Sequence, residues 1–155
     1  MKILRVFVDT SIIGWYFDKE FSDDTKLLFD KIKNGTYDLV ISDLTEKELL
    51  KAPEKVKTLL KDLEILNYEI IVVTKESIEL ATEYIKEKVV GQTSFDNCIH
   101  IATATICRVD LLVSWNFKHI VNIQRIRGYN SINIKNGYQN LEIRSPKDLI
   151  GYEDW

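Results

Sequence analysis

At 155 residues, with 45% hydrophobic and 29% charged side chains, the chain has the make-up of a soluble globular protein and the length of one domain spanning residues 1–155. No apolar run approaches the roughly 20 residues that cross a bilayer, and no secretion signal opens the chain, so a cytoplasmic protein with no membrane partner is expected. The net charge of −3 argues against a protein that coats nucleic acid, although no acid falls between Asp110 and Glu142, where Lys118, His119, Arg125, Arg127 and Lys135 lie.

In chain order, residues 2–8 form an apolar run that reads as a buried strand and stops at Asp9, with a short helix or turn following through Ile13. Apolar positions Leu27, Leu28 and Ile32 give a helix over 23–33 that ends at Asn34-Gly35-Thr36. A second strand is expected at 37–42, a helical turn at 45–50, and a helix from Pro53 to about Leu66. A third strand (68–73) precedes a helix over 76–88. A second helix follows at 97–108, with Ile99, Ala102 and Ile106 on one face. A fourth strand (110–114) leads to a stretch from His119 to Asn136 that reads as helical and closes at Gly137. A short fifth strand (141–146) then precedes a last turn. Apolar runs alternating with helices predict an α/β fold with a parallel sheet covered on both faces, so that the carboxyl ends of the strands share one rim.

Cys98 and Cys107 fall in one expected helix, roughly 13 Å apart by helical rise, too far to bridge, and without zinc-ligand spacing. Both read as reduced packing residues.

The rim gathers Asp9, Glu46 and Glu48, the pair Asp96-Asn97, and Ser114 with Asn116. Carboxylates without cysteine suit a hard cation, Mg²⁺ or Mn²⁺, which could hold a phosphate and activate water for attack. Each residue also has a local reading. Asp9 and Asp96 are good helix N-caps, Glu46 suits an exposed surface, Asn116 can cap a turn, and His100 can pack or pair with Asp96. The residue after the first strand that a haloacid-dehalogenase-type phosphatase would need as a second Asp is Ser11, and glycine-rich nucleotide loops are missing. Trp15, Tyr16 and Phe17 form an aromatic cluster that is either core or an anchor for a protein segment.

The blocks VFVDTSII (6–13), ISDLTEKELLKAP (41–53), DNCIHIATATI (96–106) and LLVSWNFKHIVN (111–122), in this order and spacing, resemble the PIN-domain family, and within it the toxin-like (VapC-type) ribonucleases of toxin–antitoxin pairs. The resemblance implies a three-layer α/β/α domain around a mostly parallel sheet of about five strands. It also implies Mg²⁺- or Mn²⁺-dependent cleavage of RNA, an antitoxin partner and a homodimer. It carries the family's first two acids onto Asp9 and Glu48. The third falls on Asn97, with Asp96 one place early, and the fourth on Asn116. Either Asp96 reaches in as metal ligand and catalytic residue, or Asn97 occupies that place. In the second case the chain is a weakened nuclease, or a toxic enzyme carrying an inactivating substitution; the rival class is a module that binds RNA or protein without cleaving. Ser114, Lys118, His119, Arg125 and Arg127 are the expected phosphate contacts, and Ser114 with Asn116 would orient a water or phosphate.

Overall fold

A computed structural model describes residues 2–64 and 67–149. Five strands form one sheet: β1 (Leu4–Val8), β2 (Tyr37–Ser42), β3 (Glu69–Ile71), β4 (Leu111–Val113) and β5 (Ile143–Arg144). Their order is β3-β2-β1-β4-β5, and every pairing is parallel, with Val6 opposite Leu39 on one side and Leu111 on the other. The helices are α1 (Thr10–Gly14), α2 (Ser22–Lys33), α3 (Asp43–Leu49), α4 (Glu54–Glu64), α5 (Lys75–Lys86), α6 (Phe95–Ile106) and α7 (Ile123–Lys135).

Alternation along the strands divides the core into two layers. Phe7, Val40 and Leu112 point to one face and pack with Leu80, Tyr84, Ile101, Ala104 and Tyr129 from α5, α6 and α7. Val6, Val8, Ile41 and Val113 point to the other and pack with Ile12, Leu28, Phe29 and Val56 from α1, α2 and α4. A strand buried on both faces has no polar side to show, which is why the sequence reads as continuous apolar runs rather than alternation. The three-layer α/β/α expectation holds.

The ends of the elements follow local chemistry. Thr74 and Ser77 form a reciprocal cap that starts α5. Ser42 ends β2 and caps α3, accepting from Thr45 N at 3.2 Å. Gly35, at φ +86°, takes the left-handed conformation that closes α2. β3 is shorter than expected because Val73 N leaves the ladder to donate to the Asp43 carboxylate at 3.0 Å. The expected end of α4 at Leu66 lies outside the described residues. α7 starts at Ile123 rather than His119, because Asn122 adopts an extended backbone and accepts from Arg125 N at 2.9 Å. Residues 116–121 are therefore a turn, not a helix. Both cysteines are free thiols. Among the described residues no helix is long and apolar enough to cross a membrane.

Trp115, 1% exposed, ties the end of β4 to α2 by donating its ring N–H to Thr25 Oγ1 at 2.9 Å. Trp115→Phe removes this bond and part of the packed volume. It is expected to lower the unfolding free energy by about 2 kcal/mol in urea titration; an unchanged midpoint would show that Trp115 does not anchor the rim.

Candidate active site

β1 runs directly into the rim, and Asp9 is the first residue beyond it. The side chain is buried and caps α1, with Oδ1 accepting from Ser11 N at 3.1 Å and from Ser11 Oγ at 2.6 Å. Its Oδ2 accepts from Ser114 Oγ at 2.6 Å, and Ser11 Oγ in turn accepts from Trp115 N at 3.0 Å. Both readings of Asp9 therefore meet in one residue: it is an N-cap and it sits at the carboxyl end of the central strand. Burial pushes its carboxyl above the ordinary range, while nearby His100 and the bonds from Ser11 and Ser114 pull the other way.

Glu48 comes from α3. Its Oε1 is met by Thr10 Oγ1 at 2.8 Å and by His100 Nε2 at 2.8 Å. Thr10, next to Asp9 in the chain, also reaches Thr45 Oγ1 at 3.4 Å and so links the two carboxylates through α1 and α3. Burial pushes Glu48 up, but the bonds from His100 and Thr10 outweigh it and hold the carboxylate below its usual range. His100 is 3% exposed, and its Nδ1 is buried without a hydrogen-bond partner. His100 pairs with Glu48, not with Asp96 as its i+4 spacing suggested.

Asp96, at the start of α6, is exposed and lines a cleft of about 410 Å³ with Leu44, Lys47, Glu48 and Lys51. Asn97 is half-buried on the same helix turn. Among the described residues no group of three or more His, Cys, Asp or Glu is placed to hold a metal. Asp9 and Glu48 nevertheless suit a hard divalent cation as a pair. Both are oxygen donors, and no hydrogen bond from the described residues reaches Glu48 Oε2.

The remaining expected residues disperse. Ser114 is fully buried; its hydroxyl donates to Asp9 and accepts from Asn116 N at 2.9 Å, so it stands behind the carboxylate and does not face a groove. Asn116 Oδ1 caps the following turn by accepting from His119 N at 2.9 Å. Lys118 is exposed, and His119 lies close to Lys118 and Arg125, which with its burial lower its pKa. The Arg125 guanidinium donates to Val89 O. Arg127 lines a separate groove between α7 and β5 that none of the rim acids lines. Glu46 is half-buried and takes no part in the hydrogen bonds of the site. Sequence reasoning missed Lys47 and Lys51, whose i,i+4 spacing around Glu48 was the available signal.

A PIN domain family model matches residues 6–114, from the third residue of β1 to the serine beyond β4. The chain belongs to the PIN domain family. No curated protein matches it. Among solved structures, it is similar to VapBC2 from Rickettsia felis bound to a DNA fragment from its promoter, at 18% identity and TM-score 0.56 over 92% of this chain and 98% of that one. It is also similar to a toxin–antitoxin complex from Klebsiella pneumoniae, at 20% identity and TM-score 0.57 over 77% of this chain and 93% of that one. At these identities the likeness is one of fold.

A carboxyl group whose folded pKa is raised weakens the fold as pH climbs past its unfolded value, because the folded state then binds the proton more strongly than the unfolded chain does. Asp9→Asn keeps the shape and removes the buried charge. Without divalent ions it is expected to melt above the wild type at pH 7, with the gap closing as pH falls into the carboxylate range. A variant that melts lower at neutral pH would mean that the ionised form is fully compensated.

Proposed function

We propose that the chain is a divalent-metal-dependent endoribonuclease of a toxin–antitoxin pair. The observation that carries this reading is the Asp9–Glu48 pair at the carboxyl rim of a parallel sheet, in a PIN domain, with Asp9 buried and its charge incompletely compensated by the protein. Asp9 and Glu48 would hold Mg²⁺ or Mn²⁺, with Asp96 or Asn97 completing the set; the ion would supply charge to neutralise a phosphate and acidify a water. Ser11 and Ser114 fix the orientation of Asp9, while Thr10 and His100 fix that of Glu48. Exposed Lys118, with Lys47 and Lys51 in the cleft beside Glu48, would contact backbone phosphates, which sets register rather than sequence choice. The cytoplasm, where RNA is made and used, is the proposed location.

An antitoxin segment is the proposed protein partner, docking where Trp15 and Phe17 are 41% and 42% exposed. Tyr16, by contrast, packs against Phe29 at 5.6 Å. Family resemblance also supports a homodimer. A second reading, a module that binds RNA or protein without cleaving, is favoured by the amides at 97 and 116 and by the way Asn116 uses its oxygen as a cap.

Manganese decides between them. Purified protein is expected to cleave a mixed RNA pool with Mn²⁺, and Asp9→Asn or Glu48→Gln to lose about 100-fold or more, the scale of losing one electrostatic contributor. Mn²⁺ at 100 times its Kd should add about 2.7 kcal/mol of stability to the wild type and none to Asp9→Asn. Equal shifts in both proteins place the ion elsewhere and favour the non-cleaving module.

The third ligand position is tested separately. If Asn97 holds it, Asn97→Asp tightens Mn²⁺ binding and raises cleavage while Asp96→Ala changes little. If Asp96 holds it, Asp96→Ala abolishes cleavage and Asn97→Asp lowers it by crowding like charges.

A further inference from the structure

A continuous aromatic stripe crosses the rim beside Asp9. Trp15 stacks on Phe21 at 5.3 Å, Phe21 tilts onto buried Trp115 at 4.5 Å, and Trp115 meets Phe117 edge-on at 6.0 Å. Its two ends differ in charge. The Trp15 end is of mixed charge: exposed Asp18, Glu20 and Asp23 are accompanied by exposed Lys19, and the Lys55 ammonium lies over the Phe17 ring at 5.1 Å. The Phe117 end is followed by Lys118 and His119, with Arg125 near enough to act on His119 electrostatically. No acid falls among residues 111–141, so the Phe117 end is the better match for a polyanion.

The Phe117 ring is 46% exposed, yet it is not on a loose loop. Asn116 Oδ1 accepts from His119 N, and Asn122 Nδ2 donates to Phe117 O at 3.0 Å and to Lys118 O at 2.8 Å. Ile120 N and Val121 N both donate to Asn116 O, at 3.1 and 2.8 Å. The loop is thus braced from both ends, and its first residue follows Ser114 and Trp115, which reach Asp9 and Ser11. An exposed apolar ring on a braced loop, next to a lysine and three residues along the chain from the serine that bonds Asp9, has the make-up of a surface that stacks an unpaired base.

We propose that Phe117 and Lys118 form a nucleotide subsite: the Phe117 ring stacks one unpaired base of the RNA, and the Lys118 ammonium pairs with an adjoining phosphate. This rests on the ribonuclease reading and adds a specificity-determining residue to it. Inside a duplex both faces of a base are covered by its neighbours, so an exposed ring can take only a base that is unpaired or splayed out.

The experiment is equilibrium binding by fluorescence anisotropy, in EDTA, of the full chain carrying Asp9→Asn, with one short unstructured RNA offered single-stranded and then annealed to its complement. Phe117→Ala is expected to weaken single-strand binding about ten-fold and duplex binding less than two-fold. Phe117→Trp should restore the single-strand affinity. Phe117→Leu, which keeps the apolar contact with Trp115, should not restore it. Lys118→Ala should weaken both forms and reduce the salt slope by about one. Single-strand affinity unchanged in Phe117→Ala, or retained in Phe117→Leu, overturns the subsite and leaves the Phe117 end as a protein-docking surface. Because binding is read without divalent ions, this result is independent of Mn²⁺-dependent cleavage, which tests the ribonuclease reading itself.

Discussion

Asp9 is where the sheet, the first helix and the loop after β4 are held together. One carboxylate, 3% exposed, receives the Ser11 N–H, the Ser11 hydroxyl and the Ser114 hydroxyl, so a single side chain joins the end of β1, the start of α1 and the end of β4. Isolated buried charge is expensive, and neutral hydroxyl donors return only part of the hydration that a carboxylate loses. The balance is visible in the direction of its titration: burial outweighs the donors. The fold therefore keeps a negative charge at its rim that its own atoms do not fully neutralise. Stability given up at such a position is a sign of use, since a packed core would favour an amide or an apolar residue there.

Glu48 shows the opposite balance. It is half-buried, its Oε1 has two donors, and its charge is held below the ordinary carboxylate range. Thr10, next to Asp9 in the chain, donates to Glu48, so the two acids share one link but titrate in opposite directions. With its carboxyl held below the ordinary range, Glu48 is ionised near neutral pH. His100 serves this asymmetry from inside the core, because its Nδ1 has no acceptor and its Nε2 has a carboxylate. The imidazole is the dry side of a site whose wet side is the cleft lined by Lys47, Lys51 and Asp96.

Much of this was legible in the sequence. Apolar runs marked every strand, and the ends of those runs marked the rim, so Asp9 and Glu48 could be named from position and resemblance. The order β3-β2-β1-β4-β5 could not be read, because identical apolar runs carry no address for their neighbours. Nor could the partner of His100, which lies 52 residues away along the chain and is reached only through the packing of α6 on the sheet. The basic stretch misled for a physical reason. Residues two apart turn about 200° on a helix, so Arg125 bonds to Val89 O while Arg127 lines the groove beside β5. Lys118 stays near the rim because Asn116 and Asn122 hold its loop short of α7. Ser114 was expected to face a phosphate and instead turned inward, since the residue ending a doubly buried strand is still inside the protein.

On the ribonuclease reading proposed above, the two amides at the rim would have opposing effects. Each replaces a unit charge with a dipole, and Asn116 also commits its oxygen to the His119 N–H, so attraction for a divalent ion falls back on Asp9 and Glu48. The same loss removes repulsion toward an incoming phosphate, which at close range is the larger penalty of a four-acid rim before an ion arrives. Lys47 and Lys51 beside Glu48, and Lys118 beyond Asn116, then meet less competition from neighbouring carboxylates. On that reading the rim would lean on protein cations to hold the nucleic acid and on a smaller acidic core to hold the ion. Its affinity for the nucleic acid should accordingly depend more on salt, and less on the divalent ion, than that of a rim with four acids.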